Sequence, residues 1–286
     1  MRESSNPVMR GVVRDNEKAG APYAGFGQAA AGAQSVILDS AGQPTYAPAA
    51  AGRTMTIDDV VTKTGITLGV LTAVAIAAYA IIQTSPGLAM PLWGIGMVGG
   101  LVTVLIASFG RKQDKPGIVL TYAVFEGLFV GAISHLFANV SIAGGASEGG
   151  TSAGALIGQA VLATFGVFFG MLIVYKVGAI RVTPRFTRML FAGIVGVAVL
   201  MLGNLVFYLF TGSVGVLRDG GPIAIIFSLI CIGLAAFSFL VDFDQADRLI
   251  HAGAPSRAAW GVALGLTVTL VWLYVEILRL LSYFRD

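Results

Sequence analysis

The side chains best suited to chemistry in this 286-residue chain are acids that lie within or beside long apolar segments. Glu126 lies near the middle of one such segment, and Glu276 lies about eight residues, or roughly 12 Å of helix, before the end of the last one. Asp242 and Asp244 lie where the sixth segment is expected to end. Carboxylates are the ligands that hard cations such as Ca²⁺ prefer, and a charge inside a membrane is costly enough to suggest a function. These four acids are therefore the candidate site.

Two carboxyl groups that lie close together can share one proton, so a pair of these acids would form a pH-sensitive latch. Simpler roles remain open for each acid. Glu276 has Arg279 three residues later on the same helix, and the two side chains can form an ion pair. Glu126 can be a neutral acid bonded to a backbone carbonyl. Asp242 and Asp244 can be ordinary acids at a helix end that faces water.

Other kinds of site find little support in the sequence. One cysteine, Cys231, and two histidines, His135 and His251, make a zinc site improbable. Ser134 and His135 are adjacent and point in different directions on a helix, which disfavours a catalytic dyad. The seventh apolar segment has no lysine for a retinal Schiff base, and metalloprotease, Walker and dinucleotide motifs are absent. We therefore expect no enzyme activity and no cofactor, apart from Ca²⁺ as a bound or transported ion.

The composition indicates which elements position these acids. Hydrophobic residues make up 56% of the chain and charged residues 12%, with a mean hydropathy of +0.83. Several apolar segments are long enough to cross a hydrocarbon layer of about 30 Å, and only helices satisfy the backbone in segments of this kind. We predict an all-α membrane protein with seven transmembrane helices near residues 63–84, 88–110, 117–139, 153–176, 187–211, 222–243 and 258–284.

Residues 1–55 differ from this membrane domain, which is expected to cover residues 56–286. They are rich in Ala, Gly, Pro and Ser, and such a composition predicts a disordered tail. Fifteen of the 18 Lys and Arg residues lie in this tail, at the start of the first helix, or in the second, fourth and sixth connections. This asymmetry predicts a multi-pass protein of the cytoplasmic membrane with its N-terminus inside. The basic excess thus indicates the lipid bilayer as partner rather than nucleic acid.

Several short motifs resemble one known family when they are taken in order. They are Tyr122–Leu128 on the third helix, Val241–Gln245 near the end of the sixth and Leu273–Leu278 on the seventh. This order resembles the Bax inhibitor/YccA-type membrane proteins, also called the transmembrane Bax inhibitor motif family. Ser5–Val8, Met55–Val61 and Trp272–Leu281 are similar to its bacterial branch, which has a long N-terminal tail.

The resemblance implies six helices wrapping a central C-terminal helix, and a pH-sensitive calcium leak controlled by two acids. Asp244 and Glu276 would be that pair, although the family usually has aspartate at the position of Glu276. A straight seventh helix places Glu276 about 24 Å from its inner end, so either this helix starts deeper or Glu276 pairs with Glu126. The resemblance also implies an alternative, a non-conducting stress-protection regulator that binds a membrane protease or another membrane partner.

Overall fold

The computed structural model describes residues 36–38, 44–46, 53–139, 153–213 and 215–284. The chain divides into two units, residues 1–52 and 53–286. The first unit contains strands β1 (Val36–Leu38) and β2 (Pro44–Tyr46), which pair antiparallel. This pairing differs from the predicted absence of regular structure, and its Val, Ile, Thr and Tyr residues favour strands. The rest of the predicted tail up to residue 52 lies outside the described residues.

The second unit is helical, as predicted. Its helices are α1 (Ile57–Thr84), α2 (Ala89–Phe109), α3 (Pro116–Asn139), α4 (Ala153–Lys176), α5 (Pro184–Thr211), α6 (Pro222–His251) and α7 (Ala259–Tyr283). Short 3₁₀ turns, Pro86–Leu88 and Ser256–Ala258, precede α2 and α7. All seven helices are long and apolar enough to span a membrane, so the chain is a multi-pass membrane protein in contact with the bilayer.

Local sequence signals explain where several helices begin. The Thr56 side chain accepts a bond from the Asp59 amide while Asp59 accepts from the Thr56 backbone, which completes a capping box at α1. The run from Thr56 to Asp59, with two acids in its first turn, predicts this cap, and the prediction is confirmed. Proline opens α3, α5 and α6, where its missing N–H costs nothing. Gly212, in the left-handed conformation with φ 68°, ends α5.

The predicted boundary between tail and membrane domain moves by three residues. The amide of Met55 donates to the carbonyl of Ala254, and the Met55 side chain is almost fully buried. The amide of Ser256 donates to the carbonyl of Arg53, so residues 53–55 form a strap on the α6–α7 turn. We call the end of the bundle with this strap and the start of α1 the N-face, and the opposite end the far face.

Helix α7 is the most buried helix of the bundle. Its span is 78% buried, against 6% for α5, and it packs against α1, α3, α4 and α6. Threonines and small residues on α7 allow neighbouring helices to approach closely. These contacts involve four of the six other helices. The prediction that all six wrap around α7 therefore stays a prediction. Any group on α7 is therefore surrounded mostly by protein rather than by lipid.

Several glycines lie four residues apart in the sequence, among them Gly127 with Gly131 and Gly166 with Gly170, and this spacing predicts close packing between helices. The structure confirms the prediction for only part of them. A Cβ on Gly127 would lie 2.6 Å from the carbonyl oxygen of Leu71, and one on Gly131 would lie 2.4 Å from that of Ala75, so α3 and α1 pack backbone to backbone. Gly96 meets the backbone of Phe129 in the same way. Gly166 and Gly170 have open space around them, so the packing role expected from their spacing is wrong for this pair.

Candidate functional site

Glu276 lies in a buried charged cluster toward the far end of α7. Its Oε1 atom accepts a bond of 2.7 Å from Nη1 of Arg279, one turn later on the same helix. The same oxygen lies 3.4 Å from Nη2 of Arg218, which belongs to the α5–α6 connection. The three side chains are only 5–15% exposed. The ion pair of Glu276 with Arg279, one of the open alternatives, is therefore confirmed, and a second arginine joins it.

Arg218 reaches this cluster from outside the helices. Its guanidinium contacts the sulfur of Met201 on α5 and lies 5.5 Å from the centre of the Phe227 ring on α6. Among the residues that the structure describes, neither its Nη1 atom nor Oε2 of Glu276 has a hydrogen-bond partner, and both atoms are buried. A buried ion pair of this kind is stable only when its geometry is good and its other atoms are satisfied. The cluster therefore keeps two polar atoms available for a bound water or ion.

Asp242 joins α6 to α7 closer to the N-face. The Thr269 hydroxyl donates a bond of 2.7 Å to Oδ2 of Asp242, and a Cβ on Gly265, one turn earlier on α7, would be in ordinary contact with the same carboxylate. Thr269 precedes Glu276 by seven residues, so the two contacts lie about 10 Å apart along α7. The prediction that Asp242 lies at the end of the sixth helix is wrong, because α6 continues to His251.

Asp244 lies two residues after Asp242, but its side chain pairs with a residue of α6 rather than with α7. It forms an ion pair of 2.7 Å with Arg248, one turn later on α6, and both side chains are partly exposed. Asp242, two residues before Asp244, contacts Thr269, which lies seven residues before Glu276. Because α6 runs toward the N-face and α7 runs away from it, about nine residues, or roughly 13 Å of helix, separate Asp244 from Glu276 along the helix axes. The structure thus does not bring Asp244 and Glu276 together. Asp244 belongs to the charged N-face end of α6, where His251 also lies close to Asp247.

Glu126 lies apart from both α6 and the arginine cluster. It lines a pocket of about 250 Å³ between α2, α3 and α7, together with Gly100, Tyr122 and Val268. Its Oε2 atom would lie 2.7 Å from a Cβ on Gly100, so the glycine makes room for the carboxyl group. Val268 is eight residues, or about 12 Å, before Glu276 on α7, so the alternative pairing of Glu276 with Glu126 is not formed either.

The sequence of the chain as a whole identifies its family. The family model described as Bax inhibitor 1 like matches residues 6–286. The chain belongs to the Bax inhibitor 1 like family. The resemblance found in the motifs on the third, sixth and seventh helices is thereby confirmed, whereas assignment to its bacterial branch stays a prediction. No curated protein matches the chain.

In this Bax inhibitor 1 like protein, the acid on α6 that contacts α7 differs from the one that the family resemblance implies. The acid pair expected from the family resemblance was Asp244 with Glu276, but Asp242 is the α6 acid that contacts α7. Among the described residues, no group of three or more His, Cys, Asp or Glu side chains is placed to hold a metal ion.

Arg218 is the functional candidate that sequence reasoning overlooked in this family member. In the sequence it is only one of the three basic residues on the predicted outer side of the membrane. One signal was available, since Arg218 lies four residues before Pro222, where α6 begins, in a connection between two apolar segments. Its partner could not be read from spacing, because Glu276 is 58 residues away.

Proposed function

We propose that this protein is a pH-sensitive cation leak in the cytoplasmic membrane, with Ca²⁺ as the candidate ion and the N-terminus inside. The observation that supports it is the buried carboxylate of Glu276, held by an arginine that a loop carries. A carboxylate inside a membrane is costly unless it is paired, so its position next to a loop arginine suggests a gate. Transport rather than catalysis is the proposed activity.

The charge of the cluster explains why the conformation described here would be closed. Two arginines and one ionised glutamate leave one net positive charge among side chains that are nearly buried. Like charges repel strongly where the effective dielectric constant is low, so this cluster opposes the entry of cations. Arg218 is the residue that can move away from the cluster, because it lies on the connection between α5 and α6, whereas Glu276 and Arg279 lie on α7.

The path proposed for the ion follows α6 and α7. Asp242 and Glu276 mark two levels about 10 Å apart along α7, and each can supply oxygen ligands to a hard cation. Asp242 already forms a contact between the two helices through Thr269. A separation of this size suits an ion that moves between weak sites, because conduction requires binding that is easily reversed.

The proposed pH response depends on the groups that surround Glu276. These are Arg279 on its own helix, Arg218 from the connection, Cys231 from α6 and Tyr283 near the end of α7. Protonation of Glu276 would remove the single negative charge that holds the two arginines together. Arg218 would then be repelled toward the aqueous far face. The leak should therefore increase as the pH falls.

A calcium-flux assay in liposomes tests this proposal. The wild-type chain should release more Ca²⁺ at low pH than at neutral pH, and Glu276→Gln should leak at neutral pH with little further response to acid. Asp244→Asn is the matched control, since Asp244 is also an acid paired with an arginine, Arg248 on its own helix α6, but lies far from the cluster. Wild-type flux equal to that of protein-free liposomes, or equal pH profiles for Glu276→Gln and wild type, would contradict the proposal.

A non-conducting regulator of stress protection is the second candidate, and one observation favours it. The strap of residues 53–55 attaches the end of the N-terminal segment to the α6–α7 turn, and Lys63 donates to the carbonyl of Ser256 beside it. A membrane protease or other partner bound to the preceding segment could thus act on α7. Deletion of residues 1–50 should abolish partner capture if this role is correct, whereas a leak through the bundle should survive the deletion.

A further inference from the structure

A second cavity lies within the membrane-spanning part of the bundle and is separate from the charged cluster. Its volume is about 520 Å³, within the range of about 300–1,000 Å³ that is typical of ligand pockets. Four helices supply its walls, and each of α1 and α4 packs against both α3 and α7. Leu270, Val271 and Tyr274 form the wall from α7, and all three are less than a tenth exposed.

The cavity opens sideways rather than toward water. Its exposed large apolar lining residues are Ile76 on α1 and Val161 and Phe165 on α4, which are 65%, 38% and 40% exposed. These side chains belong to the apolar surface that faces the hydrocarbon of the bilayer. The opening therefore lies between α1 and α4, and it is continuous with the lipid-facing surface. Along α1 it extends from Leu68 to Ala80, in the half of the bundle nearer the far face.

The buried hydroxyls that line the cavity, those of Ser134, Thr164 and Tyr274, already have partners. Ser134 donates to the carbonyl of Val130, and its oxygen lies 2.8 Å from the hydroxyl oxygen of Tyr274, which is left to donate. Thr164 donates to the carbonyl of Ala160. Water needs two to four polar partners to occupy a cavity, and these hydroxyls leave few for it. An empty space of this size would also lose the dispersion contacts of its whole lining.

We infer that this cavity binds one acyl chain of a bilayer phospholipid from the leaflet at the far face. The occupant must be apolar, must reach the opening from within the hydrocarbon, and must be present at high concentration there. A phospholipid acyl chain meets all three conditions. The bound chain contacts Leu270, Val271 and Tyr274 on α7, which lipid on the outer surface of the bundle does not reach. This site is independent of the proposed cation leak.

Photo-crosslinking tests the site with the full chain in vesicles of phosphatidylethanolamine and phosphatidylglycerol. A small fraction of the phospholipid carries a diazirine near the middle of one acyl chain, and labelled peptides are mapped by mass spectrometry. Label on Leu270, Val271 or Tyr274 is expected. Label confined to exposed residues such as Ile76, with none on these three, would overturn the inference.

A matched pair of variants on α1 gives the control. Ala75 lines the cavity, whereas Ala77 is exposed on the same helix and does not. Ala75→Phe should fill the cavity and lower the label on α7 about tenfold, because the acyl chain loses one apolar contact of side-chain size. Ala77→Phe should leave the label on α7 unchanged. Thr72→Phe fills the same cavity and replaces Ala75→Phe if that variant does not fold. Equal label on α7 in the filled and control variants would contradict a bound chain.

Discussion

Glu276 and Glu126 are both glutamates within membrane helices, but the protein surrounds them in opposite ways. Glu276 lies on the most buried helix and contacts two arginines within 3.4 Å. Glu126 lines a pocket with Met97, Leu101 and Val268, three apolar residues with more than a third of their surface exposed. Among the described residues, no arginine, lysine or histidine forms a salt bridge with it.

The difference separates two ways of keeping an acid inside a membrane. A carboxylate between two arginines is stabilised as an ion, and its loss leaves two positive charges without a partner. An acid without a cation can be kept in neutral form and bonded to nearby groups. The first arrangement responds to any change of charge in the cluster, whereas the second depends mainly on packing. Substitutions of Glu276, Arg218, Asp242 and Glu126 test this contrast, and their effects on stability should decrease in that order.

Replacement of Glu276 should have the largest effect. Glu276→Gln keeps the shape but removes the charge, so the closed conformation, in which Arg218 and Arg279 lie buried together, loses its compensating negative charge. We expect the free energy of unfolding in detergent micelles to fall by about 3–5 kcal/mol, as is typical when one partner of a buried pair is removed. The double variant Glu276→Gln with Arg218→Gln should recover part of this loss. A loss of less than 1 kcal/mol in the single variant would show that the cluster is not held by charge.

Replacement of Arg218 should have an intermediate effect on stability. Arg218→Gln removes the longer of the two ion pairs and the contact with the Phe227 ring, while Arg279 still neutralises Glu276. We expect a loss of about 2 kcal/mol, the range for a hydrogen bond to a charged group. Chemical unfolding in the same micelles measures it, and Arg248→Gln at the exposed end of α6 is the control. Equal losses in both variants would contradict a special role for Arg218.

Replacement of Asp242 should have a smaller effect. Asp242→Ala removes the bond from Thr269, but the Thr269 hydroxyl retains the carbonyl of Gly265 at 3.2 Å. Hydrogen bonds between membrane helices contribute about 0.6–1.7 kcal/mol, and we expect a loss in that range. Thr269→Val should cost a similar amount because it removes the same bond. If the double variant costs the sum of both, the two side chains do not interact.

Replacement of Glu126 should have the smallest effect and serves as the reference for Glu276. Glu126→Gln preserves the volume of the side chain, and no ion pair is lost. The free energy of unfolding should change by about 0.5 kcal/mol or less, the range for substitutions away from buried networks. A loss of several kcal/mol would mean that Glu126 is ionised and paired, and the contrast between the two glutamates would then be wrong.

The sequence predicted the helices well because hydrophobic length is a strong signal. The predicted segments 88–110, 117–139 and 258–284 agree with α2, α3 and α7 to within one residue at each end. The sixth segment was placed too short, because Asp242, Asp244 and Asp247 suggested an end at the membrane boundary. The helix instead continues for two more turns with its charges paired along its own surface.

The site was less predictable than the helices. The bond between Glu276 and Arg279 follows from three-residue spacing, so it could be named as an alternative. The contacts of Glu276 with Arg218 and of Asp242 with Thr269 depend on how helices rotate and slide against one another, which apolar composition alone does not specify. The spacing of Gly166 and Gly170 predicted close packing equally with that of Gly127 and Gly131, yet only the latter pair meets another helix.

The measurement that tests the central claim most directly is the calcium leak of Arg218→Gln at neutral pH in liposomes. If Arg218 closes the path by its bond to Glu276, this variant should leak at neutral pH as fast as wild type does in acid. Glu126→Gln, measured beside it, should behave as wild type. Suppose instead that folded Arg218→Gln leaks no faster than wild type at neutral pH. That result would contradict the claim that Arg218 closes the path.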